Sequence, residues 1–204
     1  MLRLMLLCAT ALAVMSPAIA HAVTIQTSAT GFTAAVGAGS IRTTSTFGTL
    51  FGSISTVVLA NGVTLALSGT ADVVDQPGVG DAPFSNGYTG QVVDSTTGSE
   101  ALIFSRPVAN FGFTLSPDVG LFGPTPVTIT VTLGDGTTTS LTSSYNSGDT
   151  QFIGFTGGAE NSITVRTSTA DFAFGQFLTV PEPASALLLG TVLIPFLRRR
   201  RHLL

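Results

Sequence analysis

The chain has 204 residues, with eight basic and eleven acidic side chains, no tryptophan and, on inspection, no lysine. Between residues 23 and 180 only Arg42, Arg106 and Arg166 face ten acids (Asp72, Asp75, Asp81, Asp94, Glu100, Asp118, Asp135, Asp149, Glu160 and Asp171), a net charge of −7. That balance argues against a nucleic-acid partner, which requires clustered positive charge to displace phosphate counterions. The single cysteine, Cys8, allows no intramolecular disulfide, so the fold must stand on its core.

Met1-Leu2-Arg3 gives a short positive start, Leu4 to Val14 an apolar run, and Ser16-Pro17 a break before the small residues Ala18, Ala20 and Ala22. This is the layout of a secretory signal peptide over residues 1–22, with cleavage readable after either Ala20 or Ala22. Cys8 lies inside the apolar run, preceded by Leu7, and reads as a packing residue of the signal rather than a lipidation site. Signal peptidase is the implied partner.

From residue 23 the composition turns to threonine, serine, glycine, valine and phenylalanine, and apolar runs give way to alternation. Val127-Thr128-Ile129-Thr130-Val131-Thr132-Leu133 alternates aliphatic and threonine throughout, which predicts a strand with one face on a core and one in water. Gly134-Asp135-Gly136 then turns the chain into a hairpin with Thr137 to Thr142. Phe111, Phe113 and Leu115 repeat the alternation. Further strands are predicted at Ile54 to Leu59, Val63 to Leu67, Ala101 to Ser105, Gln151 to Phe155, Ser162 to Thr167 and Phe172 to Thr179, with weaker patterns at Thr24 to Thr27 and Arg42 to Phe51.

No segment has the period of an amphipathic helix. The expectation is an all-β domain over residues 23–179, an antiparallel β-sandwich or jelly roll. The 14 phenylalanines supply core volume. The stretch from Ala71 to Ser99, rich in aspartate, glycine and proline, reads as a long irregular loop.

Both histidines, His21 and His202, lie outside residues 23–180. That span therefore lacks histidine, cysteine and lysine, which removes Ser–His and Cys–His nucleophilic pairs and nitrogen or sulfur zinc ligands. Paired carboxylates remain open, because a glycoside hydrolase needs only two. Asp72, Asp75 and Asp81, with backbone carbonyls, have the oxygen chemistry that calcium takes; the plain alternative is a solvated acidic turn. No other cofactor is implied. Tyr88 and Tyr145 lie in predicted loops beside asparagines, as sugar-stacking aromatics would, and a packing lid is the alternative. Phe84 and Phe122 are similar.

Pro181 and Pro183 fix an extended knuckle that stops the last strand. The apolar run Ala184 to Leu197 follows, about 14 residues or ~21 Å as a helix, short of the ~30 Å of a bilayer core. Arg198, Arg199, Arg200 and Arg201 then hold that end in the cytoplasm by the positive-inside rule. Arg3 gives the same orientation.

Val180-Pro181-Glu182-Pro183-Ala184, an apolar helix and an arginine cluster near the end of the sequence together resemble the PEP-CTERM sorting signal. The resemblance covers about 25 residues, 180–204. It implies that Pro181, Glu182 and Pro183 are read by an exosortase and that Arg198 to Arg201 retain the tail at the inner membrane until it is removed. It further implies a Gram-negative cell envelope, outer surface or extracellular matrix as the destination, often beside exopolysaccharide production and biofilm formation. Residues 101–180 resemble, more weakly, the β domains that precede this signal; the aspartate such domains often carry near their end is absent from Phe174-Gly175-Gln176-Phe177. The expected function is a non-catalytic surface or matrix protein that contacts carbohydrate. The alternative is a secreted polysaccharide-acting hydrolase using paired carboxylates.

Overall fold

The computed structural model describes residues 23–76, 90–120 and 123–180 (for residues 75 and 76 the backbone alone). The expected signal peptide and sorting segment lie outside them. Ten strands, one α-helix and a short 3-10 turn follow in order among them: β1 (Thr24–Gln26), α1 (Ala29–Val36), the 3-10 turn (Ala38–Ser40), β2 (Arg42–Thr44), β3 (Ser53–Val58), β4 (Thr64–Gln76), β5 (Gly90–Ser95), β6 (Ser99–Pro117), β7 (Thr125–Leu133), β8 (Thr138–Tyr145), β9 (Gln151–Thr167) and β10 (Phe172–Thr179). Every strand pairing is antiparallel. The all-β antiparallel expectation holds.

Three long strands are shared between two layers. β6 pairs through Leu102–Phe104 with β4, then through 111–117 with β10, while β9 follows it along both halves. Register shifts between Ile103, Val108 and Asn110 mark the bend, because an unpaired extra residue curves the strand that carries it. β4 likewise leaves β6 after Leu67 and joins β5 from Ala71. β10 closes the circuit between β5 and β6.

The core follows from the side-chain period of two. Val127, Ile129 and Val131 of β7 are buried, as are Phe111, Phe113 and Leu115 of β6 and Ile153 and Phe155 of β9. In β10 the spacing Phe172, Phe174, Phe177 breaks the period by one residue. A bulge between Gly175 and Leu178, with Gln176 at φ 52°, returns Phe177 to the inside. Phe177 then meets Phe111, Phe113 and Phe174 with ring centroids 5.6, 6.2 and 5.7 Å apart. Burying each such ring contributes about 1.5–3 kcal/mol, and a favourable ring pair about 0.5–1.5 kcal/mol more.

Two sequence expectations are corrected. The stretch 71–99 is not one loop: β4 runs to Gln76 and β5 occupies Gly90–Ser95. The buried faces there are made by Val73 and Val93, opposite one another, while Asp72 and Asp94 interrupt the apolar pattern. A helix also exists. α1 is eight residues long, too short to show a period; the Ser28 hydroxyl accepts the Gly31 amide at 3.1 Å, and Gly37 at φ 80° ends it. Its one buried side chain, Phe32, packs on Phe152 at 5.6 Å.

Two carboxylates are buried where the long strands change partners, and each is held by donors. Glu100 accepts the Ser68 hydroxyl (2.7 Å), the Gly69 amide (3.0 Å) and the Ser95 hydroxyl (3.4 Å). Glu160 accepts the Asp135 amide at 3.2 Å, tying β9 to the β7–β8 hairpin. Both are structural clamps: a buried charge persists only where hydrogen bonds replace its water.

Candidate functional site

The expected strand over Arg42 to Phe51 ends at Thr44, and the rest runs back past β5 to β4, the Gln91 backbone amide donating to the Ser45 carbonyl at 3.3 Å. Phe47 anchors this return by entering the core against Phe177, with centroids 5.1 Å apart in an edge-on arrangement. The Gln91 amide side chain of β5 clamps the next step. Its Oε1 accepts the Phe47 and Gly48 amides at 2.5 and 3.2 Å, and its Nε2 donates to the Gly48 carbonyl at 3.0 Å. Gly48 is closely packed: a Cβ there would sit 3.1 Å from the Ile54 side chain, which would have to give by a few tenths of an ångström.

A tight turn follows over Thr49–Gly52, closed by the Gly52 amide on the Thr49 carbonyl at 3.0 Å. It is fixed to β4 on both sides: the Phe51 amide donates to Val73 O at 2.7 Å, and the Val73 amide to Gly52 O at 3.0 Å. Leu50 and Phe51 form its tip, 40% and 73% exposed. Phe51 stands at φ 58°. That conformation suits glycine or asparagine and strains a bulky side chain by about 1–2 kcal/mol. An aromatic ring is thus held outward on a rigid turn, against both backbone preference and the hydrophobic effect.

Polar groups adjoin the turn. The Ser53 hydroxyl, two residues after Phe51, donates to Asp72 Oδ1 at 2.6 Å. Asp72 lies directly opposite Asp94 across the β4–β5 pair. The arrangement offers an apolar ring face with carboxylates and a hydroxyl nearby. It can stack a flat apolar surface and accept hydrogen bonds from hydroxyls; it holds no nucleophile–base pair.

A second polar surface lies on β7 and β8. Thr128 and Thr142 hydroxyls are 3.0 Å apart, Thr130 and Ser140 3.1 Å, and Thr132 and Thr138 3.1 Å, the β8 residues exposed and their β7 partners half-buried.

The residues singled out from sequence fare differently. Asp72 is exposed and bonded to Ser53; Asp75 is on the same strand, its backbone opposite Gln91; Asp81 lies outside the described residues. Among the described residues no group of three or more His, Cys, Asp or Glu is placed to hold a metal. Tyr88, Phe84, Phe122, Pro181, Glu182, Pro183 and Arg198 to Arg201 lie outside the described residues.

Tyr145 is corrected. It ends strand β8 rather than sitting in a loop, and only 4% of it is exposed. Its hydroxyl donates to Gln151 Oε1 at 3.4 Å. Burial raises its pKa above the ordinary 10.0, and the negative charge of Asp149 raises it further. Packing against the core removes it as a sugar platform. Phe51 was not singled out from sequence. The available signal was the run Gly48-Thr49-Leu50-Phe51-Gly52, two apolar residues between turn formers.

No family model and no curated protein matches the sequence. Among solved structures, the xylan-binding CBM22-1 domain of Paenibacillus barcinonensis Xyn10C is similar at 13% identity and a TM-score of 0.32, covering 69% of this chain and 100% of that one. A family two carbohydrate esterase from Cellvibrio japonicus is similar at 13% identity and a TM-score of 0.13, covering 78% of this chain and 36% of that one. This chain thus spans about a third of the esterase's length. With both TM-scores below 0.5, neither likeness bears on function.

Proposed function

We propose that this is an exported, non-catalytic β domain, sorted by its PEP-CTERM-like tail to the cell surface or matrix, where the Phe51 turn contacts carbohydrate. The observation that carries the carbohydrate reading is Phe51 itself: a large aromatic 73% exposed, at a strained φ of 58°, on a turn clamped by Gln91 and β4. Strain of this kind persists where the surroundings over-determine it, and it clusters at functional positions. Leu50 stands exposed beside Phe51 at the tip, so the apolar surface offered is that of two adjacent side chains.

Sugar rings present apolar C–H faces and hydroxyl edges. Phe51 suits the first, while Asp72 and Ser53 suit the second. Residues 23–179, which include every described strand, should bind soluble polysaccharide saturably and release no reducing sugar. Release abolished by Asp72→Asn or Asp94→Asn would instead support the hydrolase reading, which the opposed Asp72 and Asp94 favour. The sorting part is tested separately by mass spectrometry of the exported protein. A mature C-terminus lacking Arg198 to Arg201 is expected; an intact arginine run on exported protein would contradict it.

A further inference from the structure

Among the described residues β8 pairs with β7 alone, so one long side of β8 is an edge. The other outer strands are blunted. β1 and β2 have three residues each, and β2 carries Arg42. β3 is interrupted by a register shift between Ile54 and Thr56. β8 differs: Thr-Thr-Ser-Leu-Thr-Ser-Ser-Tyr has no charge and no proline, and it pairs with β7 without a bulge from Thr132↔Thr138 to Thr125↔Tyr145. Charge, proline and bulges are the usual means of blocking an edge from further pairing.

The hairpin fixes which backbone groups face that edge. The Leu133 amide donates to the Thr137 carbonyl at 2.8 Å. Bonded and non-bonded pairs alternate in an antiparallel ladder, so the odd-numbered β8 residues bond to β7. The amides and carbonyls of Thr138, Ser140, Thr142 and Ser144 therefore point to the free side. The side chains agree: the 3.0–3.1 Å hydroxyl contacts with β7 all involve even positions, and side chains approach most closely in non-bonded pairs.

We propose that this edge pairs, antiparallel, with β8 of a second copy of the chain about a twofold axis at Leu141. In that register Ser140 lies opposite Thr142 and Thr138 opposite Ser144. Each pair exchanges amide and carbonyl bonds, about eight in all, and uses every free group on the strand. Serine and threonine side chains also face one another across the axis, in the wider-spaced bonded pairs. Leu141, the one aliphatic residue of β8, meets its own copy. Two uncharged edges approach without Coulomb repulsion. The strand is complementary to itself in backbone phase and in side-chain type, which selects a second copy over an unrelated strand. The interface is isologous and closed.

The test uses the full chain in detergent with Cys8→Ser, so that no native thiol remains. Leu141→Cys places two thiols on the axis in a non-bonded pair, where Cα atoms are about 4.5 Å apart, within disulfide reach. Oxidation should give a disulfide-linked dimer. Thr138→Cys places its two thiols about 20 Å apart along the paired strands and should give no disulfide-linked dimer. In sedimentation, Ser140→Lys with Thr142→Lys sets lysines opposite lysines and should raise the dimer Kd at least tenfold. Equal cross-linking at positions 141 and 138, or a dimer population untouched by the lysines, would overturn the proposal.

Discussion

The Ser68 hydroxyl donates to Glu100 Oε1 at 2.7 Å and accepts the Ala101 amide at 2.9 Å, so one small side chain ties β4 to β6 at the point where β4 leaves it. The same carboxylate also takes the Gly69 amide. Glu100 thereby holds the corner through which the strand passes from one layer to the other.

Glu100→Ala removes the acceptor for two hydroxyls and an amide, in a place where Glu100 is only 2% exposed. A loss of about 2–4 kcal/mol is expected, or a fall in Tm of about 5–15 °C for a domain of this size. Glu100→Gln, which keeps one acceptor oxygen, should lose less. Thermal unfolding followed by circular dichroism measures both.

Phe51→Gly should separate stability from binding. Glycine accepts the φ of 58° without strain, and the ring it removes is exposed. Relief of about 1–2 kcal/mol is opposed by about 0.5–1 kcal/mol of backbone entropy. The midpoint in denaturant should stay level or rise, while carbohydrate binding falls. A marked drop in stability would show that the ring packs rather than displays.

Tyr145 should titrate above 10.0, because burial and then the Asp149 charge both disfavour the phenolate. The folded state thus holds the proton more tightly than the unfolded state. Its contribution to stability is complete below the unfolded pKa near 10.0 and is lost as pH rises through the folded value. Absorbance titration of a Tyr88→Phe variant isolates this group. Asp149→Asn should lower the midpoint part of the way.

Gly112 and Gly154 face each other across β6 and β9. A Cβ at 154 would lie 2.8 Å from the Phe111 carbonyl, a backbone atom, whereas at 112 it would meet the Phe152 ring end at 2.5 Å. The ring can turn and the backbone cannot. Gly154→Ala should therefore destabilise by about 1–3 kcal/mol and Gly112→Ala by less, as read from denaturant midpoints.

Much of the fold was legible because alternation reports a half-buried strand directly. Val127 to Leu133 and Phe172 to Thr179 emerge within a residue or two of their observed bounds. β5 and the second half of β4 were hidden because Asp72, between buried Ala71 and Val73, and Asp94, between buried Val93 and Ser95, mimic a loop. α1 was hidden by its length. The Glu100 clamp depends on residues 31 and 32 positions apart, which no local pattern encodes. Phe51 was missed because a positive φ is signalled by glycine, and here the strained position is held by Gln91 and Val73 through contacts distant in sequence.

The carbohydrate role of the Phe51 turn is tested most directly by affinity electrophoresis of residues 23–179 through a gel containing exopolysaccharide, beside the Phe51→Gly variant. Retardation of the native domain that is lost in the variant, with both proteins equally folded, is the expected result. Equal retardation of the two would contradict it.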